Sequence, residues 1–257
     1  MLRKGDLTQG GIITTLLQFT LPMLAGSLLQ QCYNIADTLI VGQCIGANAL
    51  AAVGSAYTLM VFLISILLGL SMGSGTVFSL QYGAGDLSAL RRSIYVSLLL
   101  IGTVTILLNV AVFLWLDPIL RWLQVPYDIY SLMRNYLWII FWGIVFTFLY
   151  NFYAALLRAV GDSVTPLWFL AVSVVLNIGL DLFLILVLDQ GIEGAAVATV
   201  IAQGTAASGI PPRATITPGR YVLRPFQPER NHFFLHTDLR PTICDELRNI
   251  DGARVGK

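Results

Sequence analysis

Charged residues are scarce in this chain, and their scarcity decides its class. Of the 257 residues, 11% are charged and 56% are hydrophobic, whereas a soluble domain usually carries about 25% charged residues. This balance excludes an ordinary soluble domain and predicts a membrane protein. The formal net charge of +1 gives no sign of a nucleic-acid partner, and none is expected.

Cysteine and histidine are also rare. The three cysteines, Cys32, Cys44 and Cys244, are too far apart in sequence for a CxxC metal or redox pair. The first histidine is His232, so the preceding segment offers no imidazole ligand or base. The GSG at 73–75 is not a phosphate loop, because no Gly-Lys-Ser/Thr follows it. The sequence therefore predicts neither an enzyme nor a bound cofactor.

Long apolar stretches, by contrast, fill most of the chain up to residue 204. About 20 apolar residues in a helix are enough to span a bilayer. The sequence predicts an all-α, polytopic membrane helix bundle with five full transmembrane helices and a truncated sixth that starts near Gly194. The five full helices are predicted at 13–41, 49–81, 92–116, 132–157 and 166–188.

The basic residues between these stretches predict the orientation in the lipid bilayer. If every predicted helix crosses it, the basic residues on the side of the N-terminus are Arg3, Lys4, Arg91, Arg92 and Arg158. The opposite side holds Arg121 and Arg134. Because basic residues gather in cytoplasmic loops, we expect a multi-pass protein of the plasma membrane, or cell inner membrane, with a cytoplasmic N-terminus.

Four oxygen-bearing side chains fall inside three of the predicted helices at similar depth. At about 1.5 Å per residue, Asp37, Asp181 and Thr199 lie roughly 8 to 12 Å below the outer surface. Asn177 precedes Asp181 by four residues, a spacing that places both on one helix face. The sequence thus predicts that these four side chains form one cluster.

The chemistry of this cluster indicates a cation or a proton. Ionisable residues inside membrane helices usually face a cavity, a partner or an ion path. The basic residue nearest to Asp181 in sequence is Arg158, on the opposite side of the membrane, so no salt-bridge partner is evident. Oxygen ligands suit a hard cation such as Na⁺, and a buried carboxyl group suits a proton. Singly, Asn177 would more often bond between helices and Thr199 within its own helix; together the four predict an ion-coupled transporter.

A substrate cavity is predicted from five further side chains. These are Gln30, Gln31, Tyr136, Asn151 and Tyr153. The two glutamines lie one or two turns from Asp37, and the other three lie in the fourth predicted helix. Packing or interfacial anchoring is the alternative, and more common, role for each of them.

Several segments resemble the MATE family of multidrug and toxic-compound extrusion transporters, in matching order and spacing along residues 1–204. They are "LQFTLPMLAGSLLQQCYNIADTLIVGQCIGANALAAVG", "LSMGSGTVFSLQYGAGD", "FLYNFYAALLRAVGDSVTP", "VVLNIGLDLFLI" and "GIEGAAVATVIAQ". The resemblance implies half of a twelve-helix fold, in which a substrate cavity lies between two six-helix lobes. It also implies exchange of Na⁺ or H⁺ for small organic, often cationic, compounds, and a C-terminal lobe that is missing here.

The family's cation site in the N-terminal lobe falls by resemblance on Asp37, Asn177, Asp181 and Thr199. The predicted function is therefore a secondary antiporter that exports drugs or organic cations, present as a non-autonomous half. Two alternatives remain open. One is an inert truncation product that keeps the lobe fold. The other is a lipid-linked precursor flippase of related fold, against which the oxygen cluster argues, since such a cluster serves a coupling ion.

Residues 205–257 depart from the family. This segment holds six of the ten prolines, both histidines and eight basic residues, namely Arg213, Arg220, Arg224, Arg230, Arg240, Arg248, Arg254 and Lys257. Three accounts are open: a frameshift or rearrangement, a regulatory tail, or a basic segment that binds anionic lipid. The first is favoured, because the composition changes abruptly inside a predicted helix. The sequence thus predicts a membrane lobe at 1–204 and a polar, disordered or out-of-frame tail at 205–257.

Overall fold

The computed structural model describes residues 12–209 and two short strands further along the chain. The described part contains six α-helices: α1 (Ile12–Cys44), α2 (Ala47–Gly83), α3 (Leu87–Trp122), α4 (Tyr127–Ala159), α5 (Val164–Leu182) and α6 (Gly191–Gly209). A π-helical turn at Phe183–Val187 continues α5. The strands β1 (Thr215–Thr217) and β2 (Arg220–Val222) pair antiparallel, with Thr215 opposite Val222. The chain divides into two compact units, of which the second, Pro225–Lys257, lies outside the described residues.

Apolar composition and length make four of the helices able to span a membrane. These are α2, α3, α4 and the continuous segment Val164–Val187. Helix α1 is also long, at 33 residues. Its described part, which carries Gln30, Gln31 and Asp37, is not one of the four helices that are apolar enough to span a membrane. The predicted all-α membrane bundle is confirmed, and the predicted count of five spans is matched approximately.

Helix ends differ from the sequence predictions, because apolar patterns mark the membrane part of a helix and not its termini. Helix α3 begins at Leu87, five residues before the prediction, since the Asp86 side chain caps it by accepting from the Ala89 N–H at 2.9 Å. Helix α6 begins at Gly191 and continues to Gly209, past the predicted boundary at 204. The division into 1–204 and 205–257 stays a prediction, because most of the second segment lies outside the described residues.

Helix α4 is central to the packing. One side of it contacts α2, where the Phe78 and Phe152 rings meet edge to face with centroids 6.0 Å apart. Another side contacts α6, and there the Thr147 hydroxyl donates to Gln203 Oε1 at 2.6 Å. Helix α5 packs between α6 and α1. Helices α1, α5 and α6, which carry the predicted cluster, therefore meet beside α4.

Candidate functional site

The four side chains predicted to cluster come from α1, α5 and α6, and all four are buried. Asn177 and Asp181 are 0% exposed, Thr199 is 3% exposed and Asp37 is 8% exposed. Four-residue spacing places Asn177 and Asp181 on the same face of α5, as the sequence predicts. The structure thus brings the four residues together; that they bind an ion stays a prediction.

Asn177 links the α5 part of the cluster to α6. In one orientation of its amide, Nδ2 donates to Asp181 Oδ2 at 3.0 Å and Oδ1 accepts from the Thr199 backbone N–H at 3.2 Å. In the other orientation, Nδ2 donates to Thr199 Oγ1 at 3.4 Å. The first orientation is chemically preferable, because the amide nitrogen then faces an acceptor and the amide oxygen faces a donor. Asn177 therefore fixes the position of the Asp181 carboxyl group.

Asp37 and Asp181 lie within hydrogen-bonding reach of each other, although they come from different helices. In each carboxyl group, the Oδ1 atom is buried and has no hydrogen-bond partner among the described residues. A hydrogen bond between two carboxyl groups requires a proton on one of them, and two bare carboxylates at this distance would repel strongly. The pair thus needs a proton or a cation to be stable.

Two tyrosines complete the surroundings of the pair. The Tyr33 hydroxyl lies 3.3 Å from Thr199 Oγ1 and bridges α1 to α6. Tyr136 of α4 is buried and close enough to Asp37, Tyr33 and Asp181 to interact with them electrostatically. Sequence reasoning missed Tyr33, although its four-residue spacing from Asp37 was a signal for a shared helix face. Tyr136 was predicted as a cavity residue and lies beside the carboxyl pair.

The donor set at this site consists of oxygen atoms only. Within the described part, no basic side chain contacts the pair, and no group of three or more His, Cys, Asp or Glu side chains is placed so that it could hold a metal ion. Carboxyl, amide and hydroxyl oxygens are ligands for a hard cation or acceptors for a proton, and they are poor ligands for softer metals. The chemistry of the residues therefore fits the predicted Na⁺ or H⁺.

The remaining predicted cavity residues are dispersed. Gln30 and Gln31 are exposed on α1, and Gln31 accepts a hydrogen bond from Asn34 at 3.0 Å. Asn151 donates to the Thr147 carbonyl of its own helix at 2.8 Å, and the Tyr153 ring packs against Phe152. The described pocket beside α4 has a different lining: Met60, Ile64, Ile140, Phe141, Ile144, Thr147 and Gln203. The substrate cavity stays a prediction.

Comparison with known proteins identifies the family. Residues 22–183 match the MatE family model, and the chain belongs to this family. It is 38% identical over 201 residues to the "Probable multidrug resistance protein YpnP" of Bacillus subtilis (strain 168), covering 78% of this chain and 45% of that protein. It is 31% identical over 204 residues to the "Multidrug export protein MepA" of Staphylococcus aureus (strain NCTC 8325 / PS 47), covering 76% of this chain and 44% of that protein.

A solved structure shows the same fold. The crystal structure of a MATE protein in its bent conformation superposes with a TM-score of 0.78 at 25% identity, covering 90% of this chain and 52% of that one. The chain spans about half the length of the relatives and of the structure that it matches. The resemblance predicted from the sequence is confirmed, and the described helices correspond to half of the MATE fold.

Proposed function

We propose that this chain supplies the N-terminal lobe of a secondary antiporter, which exports small organic compounds, mainly cationic ones, in exchange for Na⁺ or H⁺. The printed names of two relatives, a multidrug resistance protein and a multidrug export protein, support the substrate class. Membership of the MatE family supports transport over enzymatic chemistry. The coupling ion would bind at the buried cluster on α1, α5 and α6.

One observation carries the proposal: Asp37 and Asp181 are buried within hydrogen-bonding reach of each other, with no basic partner in the described part. Purely structural carboxyl groups in a membrane helix would normally be paired with a cation of the protein. Within the described part of the chain, no residue supplies that neutralising charge. A transported Na⁺ or H⁺ supplies that charge, and its release leaves the pair repulsive.

The cluster also gives the ion a way to act on the helices. Either carboxyl group can hold the proton, or both can hold Na⁺ together with the Thr199 hydroxyl, while Asn177 holds Asp181 in position. When the ion binds, it removes the repulsion between α1 and α5, so the two helices are held together. When it leaves, the same repulsion favours their separation. Ion binding thereby biases one of two helix arrangements, which is what coupling requires.

A second lobe is part of the proposal. In transporters built from repeats, alternating access comes from one repeat or bundle moving against the other. The described helices provide one such bundle, and the matched relatives are about twice as long. We propose that this lobe works with a second six-helix lobe and that the substrate binds between the two.

The experiment uses this lobe joined to the second lobe of a family member. Asp37→Asn and Asp181→Asn should each reduce ion-gradient-driven efflux of a fluorescent organic cation to background, because the neutral amide cannot exchange a proton or hold Na⁺ by charge. Thr199→Ala should weaken coupling less, since it removes one neutral oxygen. Transport is measured in proteoliposomes with imposed Na⁺ and H⁺ gradients, which also identifies the ion.

Asp117→Asn provides the matched control, because it makes the same chemical change at an exposed salt bridge, 2.8 Å from Arg134, outside the cluster. This variant should keep efflux. If both cluster variants retain full, gradient-dependent efflux, Asp37 and Asp181 are structural and the proposed coupling site is wrong.

A further inference from the structure

Ser173 of α5 forms a buried hydrogen bond to the backbone of α6. Its hydroxyl donates to the Ala202 carbonyl at 2.8 Å, and the residue is 8% exposed. A serine in a helix can instead bond to the carbonyl four residues earlier in its own helix, as Ser65 does with Val61 at 2.7 Å. Ser173 therefore joins two helices, where the more local bond would have served only one.

The position of Ser173 relates this bond to the ion site. Ser173, Asn177 and Asp181 follow one another at intervals of four residues, so they lie on one face of α5. In the preferred orientation of its amide, Asn177 Oδ1 accepts from the Thr199 backbone N–H at 3.2 Å. Ser173 and Asn177 thus form two successive bonds from side chains of α5 to the backbone of α6, and Asp181 lies one turn further on.

The backbone of α6 is within reach because the side chains near Thr199 are small. The buried residues around it include Ala195, Ala196, Ala198 and Ala202. Small residues allow membrane helices to approach closely, so polar side chains of α5 can contact the carbonyl of Ala202 and the N–H of Thr199. Small side chains also offer little to interlock with. The register of α5 against α6 therefore depends on Ser173 and Asn177 in addition to apolar packing.

This register matters because the ion site is divided between the two helices. Helix α5 supplies Asp181 and helix α6 supplies Thr199, and both residues are buried. Contacts outside a binding site hold its ligands in the geometry that the ion requires. If the bond from Ser173 is lost, Thr199 has more freedom to move relative to Asp181, and the ion is bound less tightly.

We propose that Ser173 is a positioning residue of the ion site, because its hydroxyl fixes α6 against the face of α5 that carries Asn177 and Asp181. This inference rests on the ion coupling proposed above. The competing explanation is that Ser173 only stabilises the lobe. A purely stabilising bond would affect the protein equally with and without the ion, so the dependence on ion concentration separates the two explanations.

The test measures thermal unfolding of the purified full chain in detergent. Na⁺ is varied at alkaline pH, with choline replacing it at constant ionic strength, and pH is varied separately without Na⁺. An ion that binds the folded state raises the unfolding midpoint according to its concentration relative to its dissociation constant. Asp181→Asn shows which part of the rise comes from the ion site.

Ser173→Ala should weaken this response by the effect of one hydrogen bond. The Na⁺ concentration needed for a given rise should increase by a factor of about 2 to 13. If the ion is a proton, the pH that gives the same rise should fall by about 0.4 to 1.1. Ser173→Thr keeps the hydroxyl and should respond like the wild type.

Ser71→Ala is the matched control, because it makes the same chemical change at a buried position outside the site. Ser71 of α2 is 1% exposed, and its hydroxyl has no hydrogen-bond partner among the described residues. This variant should therefore keep the wild-type dependence on the ion, whatever its effect on the unfolding midpoint itself.

Three results would overturn the inference alone. The first is a wild-type ion dependence in Ser173→Ala, even if that variant unfolds at a lower temperature. The second is an equal change in the Ser71 and Ser173 variants. The third is a Ser173→Thr variant that changes as much as Ser173→Ala, since the hydroxyl would then be irrelevant. A wild-type chain with no ion response that Asp181→Asn removes would instead contradict the proposed ion site, and this inference with it.

Discussion

At the scale of single residues, the question is why two carboxyl groups occupy one buried place. Asp37 and Asp181 each leave one buried oxygen without a partner in the described part of the chain. A buried polar atom without a partner costs on the order of 1–3 kcal/mol, so an arrangement with two of them needs an explanation. Binding and release of a proton or Na⁺ would explain the arrangement, because the two oxygens have a partner whenever the ion is bound.

A substitution at Tyr33 tests whether the pair binds an ion without changing any charge at the site. Tyr33→Phe removes the hydroxyl that lies 3.3 Å from Thr199 Oγ1 and keeps the ring. Loss of one hydrogen bond costs about 0.5–1.5 kcal/mol, so in the two-lobe protein the ion concentration for half-maximal efflux should rise by a factor of about 2 to 13.

The control is Tyr127→Phe, which removes a hydroxyl from a side chain that is 98% exposed at the start of α4. This variant should show the wild-type ion dependence. Equal ion dependence for the Tyr33 variant and the wild type would show that the bridge between Tyr33 and Thr199 does not contribute to ion binding.

At the scale of elements, close approach of α4 and α6 depends on Gly143. A Cβ atom at this position would lie 2.8 Å from Val200 Cγ2 and 3.2 Å from Gln203 Oε1. The Val200 side chain is β-branched and stiff at χ1, so it has little freedom to move away. The crossing matters to the site, because α6 carries Thr199 one residue before Val200.

Gly143→Ala should therefore destabilise the lobe by about 1–3 kcal/mol through overpacking. Gly73→Ala in α2 is the control, because no atom lies within 4 Å of the added Cβ, and alanine favours the helix by up to about 1 kcal/mol. Thermal unfolding in detergent should give a lower midpoint for the Gly143 variant and an unchanged or higher one for the Gly73 variant. Equal midpoints would mean that α6 shifts freely against α4.

Another feature of the elements is the π-helical turn directly after the site. Helix α5 ends at Leu182, one residue after Asp181, and Phe183–Val187 continues it as a π-helix. A Cβ atom on Gly194 of α6 would lie 3.2 Å from Leu184 Cβ, so the start of α6 packs closely on this turn. Irregular turns of this kind often occur at functional sites. The sequence predicted an uninterrupted helix through 188, because apolar patterning does not distinguish α from π geometry.

At the scale of the whole molecule, the described helices correspond to half of the MATE fold. Expressed by itself in an efflux-deficient bacterium, the chain should give no more tolerance to organic cations than an empty vector, because the proposed mechanism moves one bundle against another and the described residues provide one bundle. Tolerance is measured as the minimal inhibitory concentration, with membrane insertion verified by immunoblot of the membrane fraction. The control is the two-lobe fusion, which should raise tolerance. Reproducible tolerance from the chain alone that disappears in Asp37→Asn would contradict the need for a second lobe.

The sequence by itself determined the class of the protein, the order of its helices and the family. These properties follow from local information: apolar length, charge placement and motif spacing. The four-residue spacing of Asn177 and Asp181 also determined their shared face, because helix geometry fixes it. The depth of Asp37 and Thr199 predicted that they join the same cluster, since depth follows from counting residues along a helix.

The tertiary structure decided which atoms meet. Tyr33 and Thr199 are separated by 166 residues, and their contact depends on how α1 and α6 are rotated and packed, which no local pattern records. The same holds for Tyr136, which lies beside the carboxyl pair because α4 is central, and for the dispersal of Gln30 and Asn151. Depth along a helix is a one-dimensional property and can be counted, whereas rotation about the helix axis is set by packing against distant parts of the chain.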